Sequence, residues 1–340
     1  MTKGLAAAVP FLPTHERWFV ESQPAGDWSF FFSPTPLVLT AAVVAVAVIW
    51  RLVALRIDRP ELPFLAPLGR LVPWVPRLLG VHLGVALLAL AVTGAFITPS
   101  NDHLQGVGGN ALLLVEGALG VWLVTGFCLR PAAALVLALG PALVLVDGFT
   151  ALGESANLAA VAAFLVVLAP GKDAHGAVQP TREQLRLALL LLRLGVGAAL
   201  IMLAFSEKLT NPAMAIDTLE RYPALDVFRL LGIDVAPETF VAIAGATELL
   251  FGLLVISGAF PQLAVLVAMV PFNVTLLLFG QTEMIGHLPV YGVFLALLVY
   301  GSSARTAMEV RWLPLPGRSL RGSEVDPAPA ALLEDAELVQ

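Results

Sequence analysis

Long apolar runs dominate the sequence and restrict what the chain can fold into. Windows of about 19 residues locate runs with the length and hydrophobicity of membrane-spanning helices near residues 37–56, 79–98, 110–128, 131–147, 156–170, 186–206, 239–257, 261–279 and 287–302. Hydrophobic residues make up 58% of the 340 residues and charged residues only 13%, whereas a soluble domain is about half apolar and about a quarter charged. Backbone amides in hydrocarbon must be hydrogen-bonded within their own segment, and these runs lack the alternation of barrel strands. The sequence therefore predicts an all-α, polytopic transmembrane helix bundle with about nine spans.

Lys and Arg residues are distributed unequally between the two ends of these spans. If the chain crosses nine times, one side receives Arg51, Arg56, Arg59, Arg70, Arg77, Arg130, Lys172, Arg182, Arg186, Arg305, Arg311, Arg318 and Arg321. The other side receives only Lys3, Arg17, Lys208, Arg221 and Arg229, and Arg193 lies within a span. Positive residues accumulate on the cytoplasmic side, so we expect the N-terminus outside and the C-terminus in the cytoplasm. The abundance of Arg, Ala, Leu and Val beside few lysines is typical of GC-rich bacterial genomes, which indicates a bacterial inner membrane.

The segments outside the spans add little chemistry. Residues 1–36 are predicted to form an extracytoplasmic N-terminal segment without a cleavable signal, and residues 303–340 a largely disordered cytoplasmic tail. The longest outer connection, 207–238, has short amphipathic stretches that would either cover a cavity as a lid or simply cover the bundle. The net charge of −6 gives no indication of a nucleic-acid partner, and Cys128 is the only cysteine, so neither an intramolecular disulfide nor a thiolate metal cluster is expected. The lipid bilayer is the predicted partner.

Two parts of the sequence share one pattern of acidic residues and glycines. Glu116, Gly120 and Gly126 recur as Glu248, Gly252 and Gly258, and 248 minus 116 gives the offset of 132 that all three pairs share. The pattern predicts one leading helix, 37–56, followed by two four-helix units, 79–170 and 186–302. Because four spans is an even number, the units would be parallel and related by an axis along the membrane normal.

Ionisable residues inside spans are the most informative side chains, because an intramembrane charge is costly and normally faces a partner or a cavity. Glu248 lies near the middle of its predicted helix and Glu116 is its counterpart in the first unit. Glu207 and Lys208 close the helix that contains Arg193. We interpret Glu248 as a candidate proton carrier or polar ligand with Arg193 or Lys208 as its counter-charge. The alternative is a structural ion pair that holds the helices together.

Glu283 and His287 lie one helical turn apart if both are helical, which suits a proton relay or half of a metal site. Gly286 and Pro289 instead favour a helix that begins near His287, with Glu283 in the preceding loop and the histidine at the interface. His82 is expected near the opposite face, so a haem held between it and His287 is not predicted. No metal ligand set is assigned. The sequence also lacks the Walker loop, the dinucleotide fingerprint and the HExxH and GxSxG motifs.

The second unit resembles the DoxX family of bacterial four-helix membrane proteins. The resemblance covers 186–302 and is carried by Leu192-Arg193-Leu194-Gly195, by Ser206-Glu207-Lys208-Leu209, and by Thr247-Glu248 followed by Gly252 and Gly258. The first unit keeps the Glu and Gly pattern but has Val81 and Phe96 near the places of the Arg and the Lys.

The resemblance implies a quinone- or redox-linked role at a polar site in the second unit, open to the extracytoplasmic side. Candidate catalytic residues are Glu248, Lys208, Arg193 and Glu116, and candidate cofactor-binding residues are His287, Glu283 and Glu207. A quinone or an extracytoplasmic redox partner would then act with the protein, although the sequence itself names no cofactor or substrate and does not decide whether the chain is an enzyme. The alternatives are a transporter for a small solute, a proton or a metal, and a non-catalytic membrane scaffold for an extracytoplasmic partner.

The predicted orientation is tested by topology reporters. Alkaline phosphatase fused after residue 236 should be active, because this connection is expected outside, whereas the same enzyme fused after residue 62 should be inactive. Green fluorescent protein fused to the C-terminus should fluoresce. The reverse pattern would show that the charge asymmetry does not set the orientation of this chain.

Overall fold

The computed structural model describes residues 26–58, 60–99, 104–149, 151–169 and 178–314, and helix is the only regular secondary structure in these ranges. The α-helices are α1 (Trp28–Phe31), α2 (Pro34–Ala54), α3 (Val75–Thr93), α4 (Gly106–Thr125), α5 (Leu129–Ala138), α6 (Gly140–Asp147), α7 (Ala151–Glu154), α8 (Ala156–Leu168), α9 (Arg182–Leu203), α10 (Pro212–Arg221), α11 (Val227–Leu230), α12 (Pro237–Ser257), α13 (Pro261–Phe279), α14 (Gln281–Ser302) and α15 (Ala307–Val310). A 3-10 segment, Pro63–Trp74, precedes α3, and a π-helical segment, Ala204–Leu209, continues α9.

Eight helical segments of the described chain are long and apolar enough to cross a membrane. They match eight of the predicted runs: Pro34–Ala54, Pro63–Thr93, Gly106–Thr125, Leu129–Asp147, Arg182–Leu209, Pro237–Ser257, Pro261–Phe279 and Glu283–Ser302. The remaining run, predicted at 156–170, forms the 13-residue helix α8. At 1.5 Å per residue it extends only about 20 Å, less than the hydrocarbon thickness of about 30 Å. The all-helical, multi-pass prediction is therefore confirmed.

Two predicted boundaries differ from the structure. In the run predicted at 79–98, the helix ends at Thr93, because Gly94 takes a left-handed conformation (φ 83°). The chain after Gly94 is irregular. The prediction that Glu283 precedes the last long helix is wrong, since α14 begins at Gln281 and tolerates Pro289 in its interior. Most of the predicted N-terminal segment, 1–36, and most of the predicted tail, 303–340, lie outside the described residues.

The long helices are described below as two groups in chain order, the first from α3 to α8 and the second from α9 to α14, and contacts between the groups are as extensive as those within them. In the first group α3 packs on α4 and α5 on α8, and in the second α9 packs on α12 and α13 on α14. Contacts between the groups pair the first helix of each with the last helix of the other, α3 with α14 and α9 with α8. Helix α2 packs against α12 on the outside of the second group.

Glycines set the separation of the first two long helices in each group. A Cβ atom on Gly84 of α3 would lie 2.7 Å from the carbonyl oxygen of Gly120 on α4, and one on Gly120 would lie 2.8 Å from that of Gly84. Gly197 on α9 and Gly252 on α12 make the same reciprocal approach at 2.8 and 2.9 Å. Small residues let helix backbones approach closely in this way and gain dispersion energy that lipid does not supply.

Each group also closes on a tight turn that an arginine contacts. In the first group Arg77 donates a hydrogen bond to the carbonyl of Val124 at 2.6 Å and packs against Gly126. In the second group the guanidinium of Arg193 packs against Gly258. The residue two places after each glycine, Cys128 or Phe260, has a positive φ of 48° or 47°.

The second turn is held by further side chains. Trp50 donates to the carbonyl of Ala259 at 3.0 Å and Arg51 to that of Ser257 at 2.8 Å. Cations near a helix C-terminus interact favourably with its unpaired carbonyls and its dipole. Arg77 therefore caps the end of α4, and Arg51 caps the end of α12. Both arginines belong to the predicted cytoplasmic side.

Two glycines of α4 provide a matched test of the close crossing. Gly120→Ala should lower the free energy of unfolding by about 1 to 3 kcal/mol, because its methyl group would overlap the Gly84 backbone. Gly108→Ala should leave it unchanged or raise it by up to about 1 kcal/mol, because no neighbour lies within 4 Å of a Cβ atom there. Unfolding in mixed micelles, followed by far-UV circular dichroism, measures both; equal effects would contradict the crossing.

Candidate functional site

The π-helical end of α9 brings three charged side chains together. The Lys208 ammonium lies 3.0 Å from Oε1 of Glu248 on α12 and 3.1 Å from Oε2 of Glu207. Glu207 is fully buried, whereas the side chains of Lys208 and Glu248 are 13% and 29% exposed. The wider π turn occurs mostly as a single turn inside α-helices and frequently at functional sites. The predicted pairing of Glu248 with Lys208 is thus present, and Glu207 belongs to the same cluster.

Lys208 lies deeper along α12 than its predicted position at the end of a span indicates. The Lys208 side chain lies against Gly245 of α12, where a Cβ atom would approach it to 3.0 Å. Gly245 is eight residues after Pro237, the first residue of α12, which corresponds to about 12 Å along the helix axis. Helix α10 packs against both α12 and the π-helical segment, so the predicted amphipathic connection covers the outer side of this cluster.

Arg193 has a different environment from Glu248. It is fully buried, donates to the backbone carbonyls of Leu189 and Trp312, and packs against Gly258. Gly258 and Glu248 are ten residues apart on α12, about 15 Å along the axis. Arg193 therefore packs against the turn at the end of α12, and Lys208 is the counter-charge of Glu248.

Glu116, the counterpart of Glu248, binds the backbone rather than a cation. It is fully buried on α4, and its Oε1 accepts a hydrogen bond from the backbone N–H of Ile97 at 3.0 Å. Its Oε2 makes no hydrogen bond within the described part of the chain. Ile97 has a φ of 63°, which is an unusual conformation for a β-branched residue. The carboxyl group of Glu116 therefore fixes the irregular segment that comes after α3.

Glu283 and His287 lie on one face of α14, with Nδ1 of the imidazole 3.1 Å from Oε1 of the carboxyl group. The two residues are 1% and 8% exposed. The ring of Phe272 on α13 packs edge-on against the imidazole at a centroid distance of 4.9 Å. The imidazole of His287 therefore lies between an acidic side chain on its own helix and an aromatic ring on α13.

A narrow, partly open cavity, which we call the central cavity, lies between the two helix groups, toward the predicted outer ends of their helices. The first group contributes the end of α3, residues 97–99 and α8, and the second contributes α9, α13 and the start of α14. Its walls are mostly apolar, with Leu90, Leu158, Leu200 and Val290 among them. Its polar lining side chains are Thr98, Glu154, Asn157 and His287. The cavity therefore has the apolar walls and few polar groups that are typical of a ligand pocket.

The seven predicted site residues divide among four places. Glu207, Lys208 and Glu248 form one cluster, Glu283 and His287 a second, and Glu116 and Arg193 lie apart from both. Only His287 lines the central cavity. Thr98 and Phe272 were not identified from the sequence, because neither has a charge or a motif that distinguishes it. Among the described residues, no group of three or more His, Cys, Asp or Glu residues is placed to hold a metal ion.

The chain matches no family model, no curated protein sequence and no solved structure.

The Lys208–Glu248 contact is tested by a double-mutant cycle. Lys208→Met and Glu248→Gln should each lower the free energy of unfolding, since either change removes a charge-assisted hydrogen bond between α9 and α12. The double variant should lose about 1 to 3 kcal/mol less than the sum of the single losses. Unfolding in mixed micelles measures all four proteins; strictly additive losses would show that the contact contributes nothing.

Proposed function

We propose that this chain is a multi-pass inner-membrane protein of the DoxX-like type that binds a lipophilic quinone-type molecule in its central cavity. The observation that supports this most directly is the apolar cavity between the helix groups with the His287–Glu283 pair at its wall. The proposal moves the functional centre away from Glu248, which the sequence favours, to the start of α14.

The chemistry of the cavity fits a quinone. An apolar ring with an aliphatic tail needs apolar walls and a small number of hydrogen-bonding groups for its carbonyl oxygens. The cavity offers aliphatic side chains on most of its surface and an imidazole that is oriented by Glu283. Phe272 adds an aromatic edge beside that imidazole, which suits packing against a flat ring.

A bound quinone would supply two-electron chemistry that is coupled to the movement of protons. The residues of this chain would hold and move those protons: the imidazole of His287 can release or accept one at the cavity wall. Glu283, one turn earlier on the same helix face, orients the ring and can exchange a proton with it. Electrons would come from the extracytoplasmic redox partner that the resemblance implies.

We also infer that the two helix groups are parallel copies of one four-helix unit. The glycine crossings, the arginine-contacted turns and the acidic residues at an offset of 132 support this relationship. The short helix α8 would then be the fourth span of the first unit, and the chain would cross nine times. In proteins built from repeats, binding sites lie at the repeat interface, and this cavity lies between the two groups, toward the predicted outer ends of their helices.

Quinone binding is tested with the purified protein in nanodiscs. Titration with tetramethyl-p-benzoquinone, followed by calorimetry, should show saturable binding. His287→Leu should weaken it about three- to tenfold, because one hydrogen bond to a carbonyl oxygen is lost. His82→Leu is the matched control, since Nδ1 of His82 lies 2.8 Å from the carbonyl of Leu78 on its own helix and the residue lies outside the cavity lining.

Two results would overturn the proposal. Absence of saturable quinone binding by the unmodified protein would contradict it, as would equal affinities in the unmodified protein and the His287→Leu variant. Solute-dependent flux in proteoliposomes without quinone binding would instead support the transporter hypothesis.

A further inference from the structure

Thr98 lines the central cavity and carries a buried hydroxyl group. Thr98 is 2% exposed and lines the cavity, and its Oγ1 makes no hydrogen bond to any described part of the chain. Buried hydroxyl groups are normally hydrogen-bonded, and a native exception calls for an explanation. A ligand that occupies the cavity provides one, because its polar atom would complete the hydrogen bond.

The backbone around Thr98 is fixed in an irregular conformation. Gly94 ends α3 with a positive φ, and Ile97 takes a φ of 63°. The N–H of Ile97 donates to Glu116 at 3.0 Å, and the N–H of Thr98 donates to the carbonyl of Phe96 at 2.7 Å. Unusual backbone conformations persist where the surrounding structure determines them, and they concentrate at ligand sites. Glu116 thus determines where the Thr98 hydroxyl lies.

We propose that Thr98 and His287 recognise two oxygen atoms of one ligand, and that Glu116 is a positioning residue for Thr98. This inference rests on the proposed function and names how the cavity recognises its ligand. Thr98 belongs to the first helix group and His287 to the second, so the ligand bridges the groups. The ligand class is a flat, apolar molecule with a hydrogen-bond acceptor at each of two edges, as in a para-quinone.

A second threonine provides a comparison within the same chain. The hydroxyl of Thr40 on α2 is also buried without a hydrogen-bond partner among the described residues, but Thr40 does not line the cavity. An unsatisfied hydroxyl alone would therefore not indicate a ligand. Thr98 differs because its hydroxyl is at the cavity wall, opposite a group that presents an oriented imidazole.

The test compares two ligands of one shape. Tetramethyl-p-benzoquinone and tetramethylbenzene carry the same methyl groups, and only the first has carbonyl oxygens. Thr98→Val should weaken binding of the quinone about three- to tenfold and leave binding of the hydrocarbon unchanged, because only a hydrogen bond is lost. Thr98→Ser should retain the quinone affinity, and Thr40→Val, the matched control, should retain both affinities.

The role of Glu116 is tested by coupling between two variants. Glu116→Gln keeps an oxygen that can accept from Ile97, so the quinone affinity should be retained. Glu116→Leu should weaken quinone binding about as much as Thr98→Val, and the double variant should bind no more weakly than either single variant. Additive losses would overturn the positioning role, and the Glu116→Gln result decides it if the leucine variant does not fold.

The two proposals fail in different ways. If the unmodified protein binds no quinone, the proposed function itself is wrong. If it binds the quinone and Thr98→Val binds equally well, the quinone proposal stands and the recognition by Thr98 is refuted. Equal weakening of quinone and hydrocarbon binding by Thr98→Val would also refute it, because this would show a change in cavity shape and not the loss of a hydrogen bond.

Discussion

The close glycine crossings of α3 with α4 and of α9 with α12 determine most of the remaining architecture. Lipid is as apolar as the helix surfaces, so burial alone does not drive these helices together, and close packing must. Each crossing holds two backbones at a separation that no Cβ atom would permit. Each crossing fixes the height of Gly120 or Gly252 along the bundle axis. It thereby fixes the height of the acidic residue one helical turn earlier, Glu116 or Glu248, and of the chain turn six residues later. Charges and turns are therefore positioned by helix contact.

The two corresponding acidic residues, the fully buried Glu116 and the half-buried Glu248, have different partners. A carboxyl group away from water needs hydrogen bonds or a counter-charge. Glu248 receives the ammonium of Lys208 from the π-helical end of α9, and Glu116 receives the backbone N–H of Ile97. The first solution gives an ion pair between two helices. The second shapes the irregular segment after Thr93, and this segment brings Thr98 to the cavity.

The sequence predicted the helices and the Lys208–Glu248 pair but not the cavity. Apolar runs and their breaks are local properties, so every predicted span has a helix in the structure. The pairing of Glu248 with Lys208 follows from their rarity in spans. Arg77 was not identified as the counterpart of Arg193 because it lies seven residues before Gly84, whereas Arg193 lies four before Gly197. Thr98 depends on the irregular backbone of Ile97, which no periodicity encodes.

The two ends of the bundle differ in a way that bears on how a ligand would enter. At the predicted cytoplasmic end, Arg51, Trp50 and Arg193 bind the turn after α12, and Arg77 caps α4. At the other end the chain is irregular after α3 and widens to a π helix at the end of α9. Local unfolding requires more free energy where side chains hydrogen-bond to the backbone turns. We therefore expect local unfolding to occur first at the predicted outer end. The cavity lies beside that end, so a ligand that enters from the predicted outer side would disturb none of these side-chain-reinforced turns.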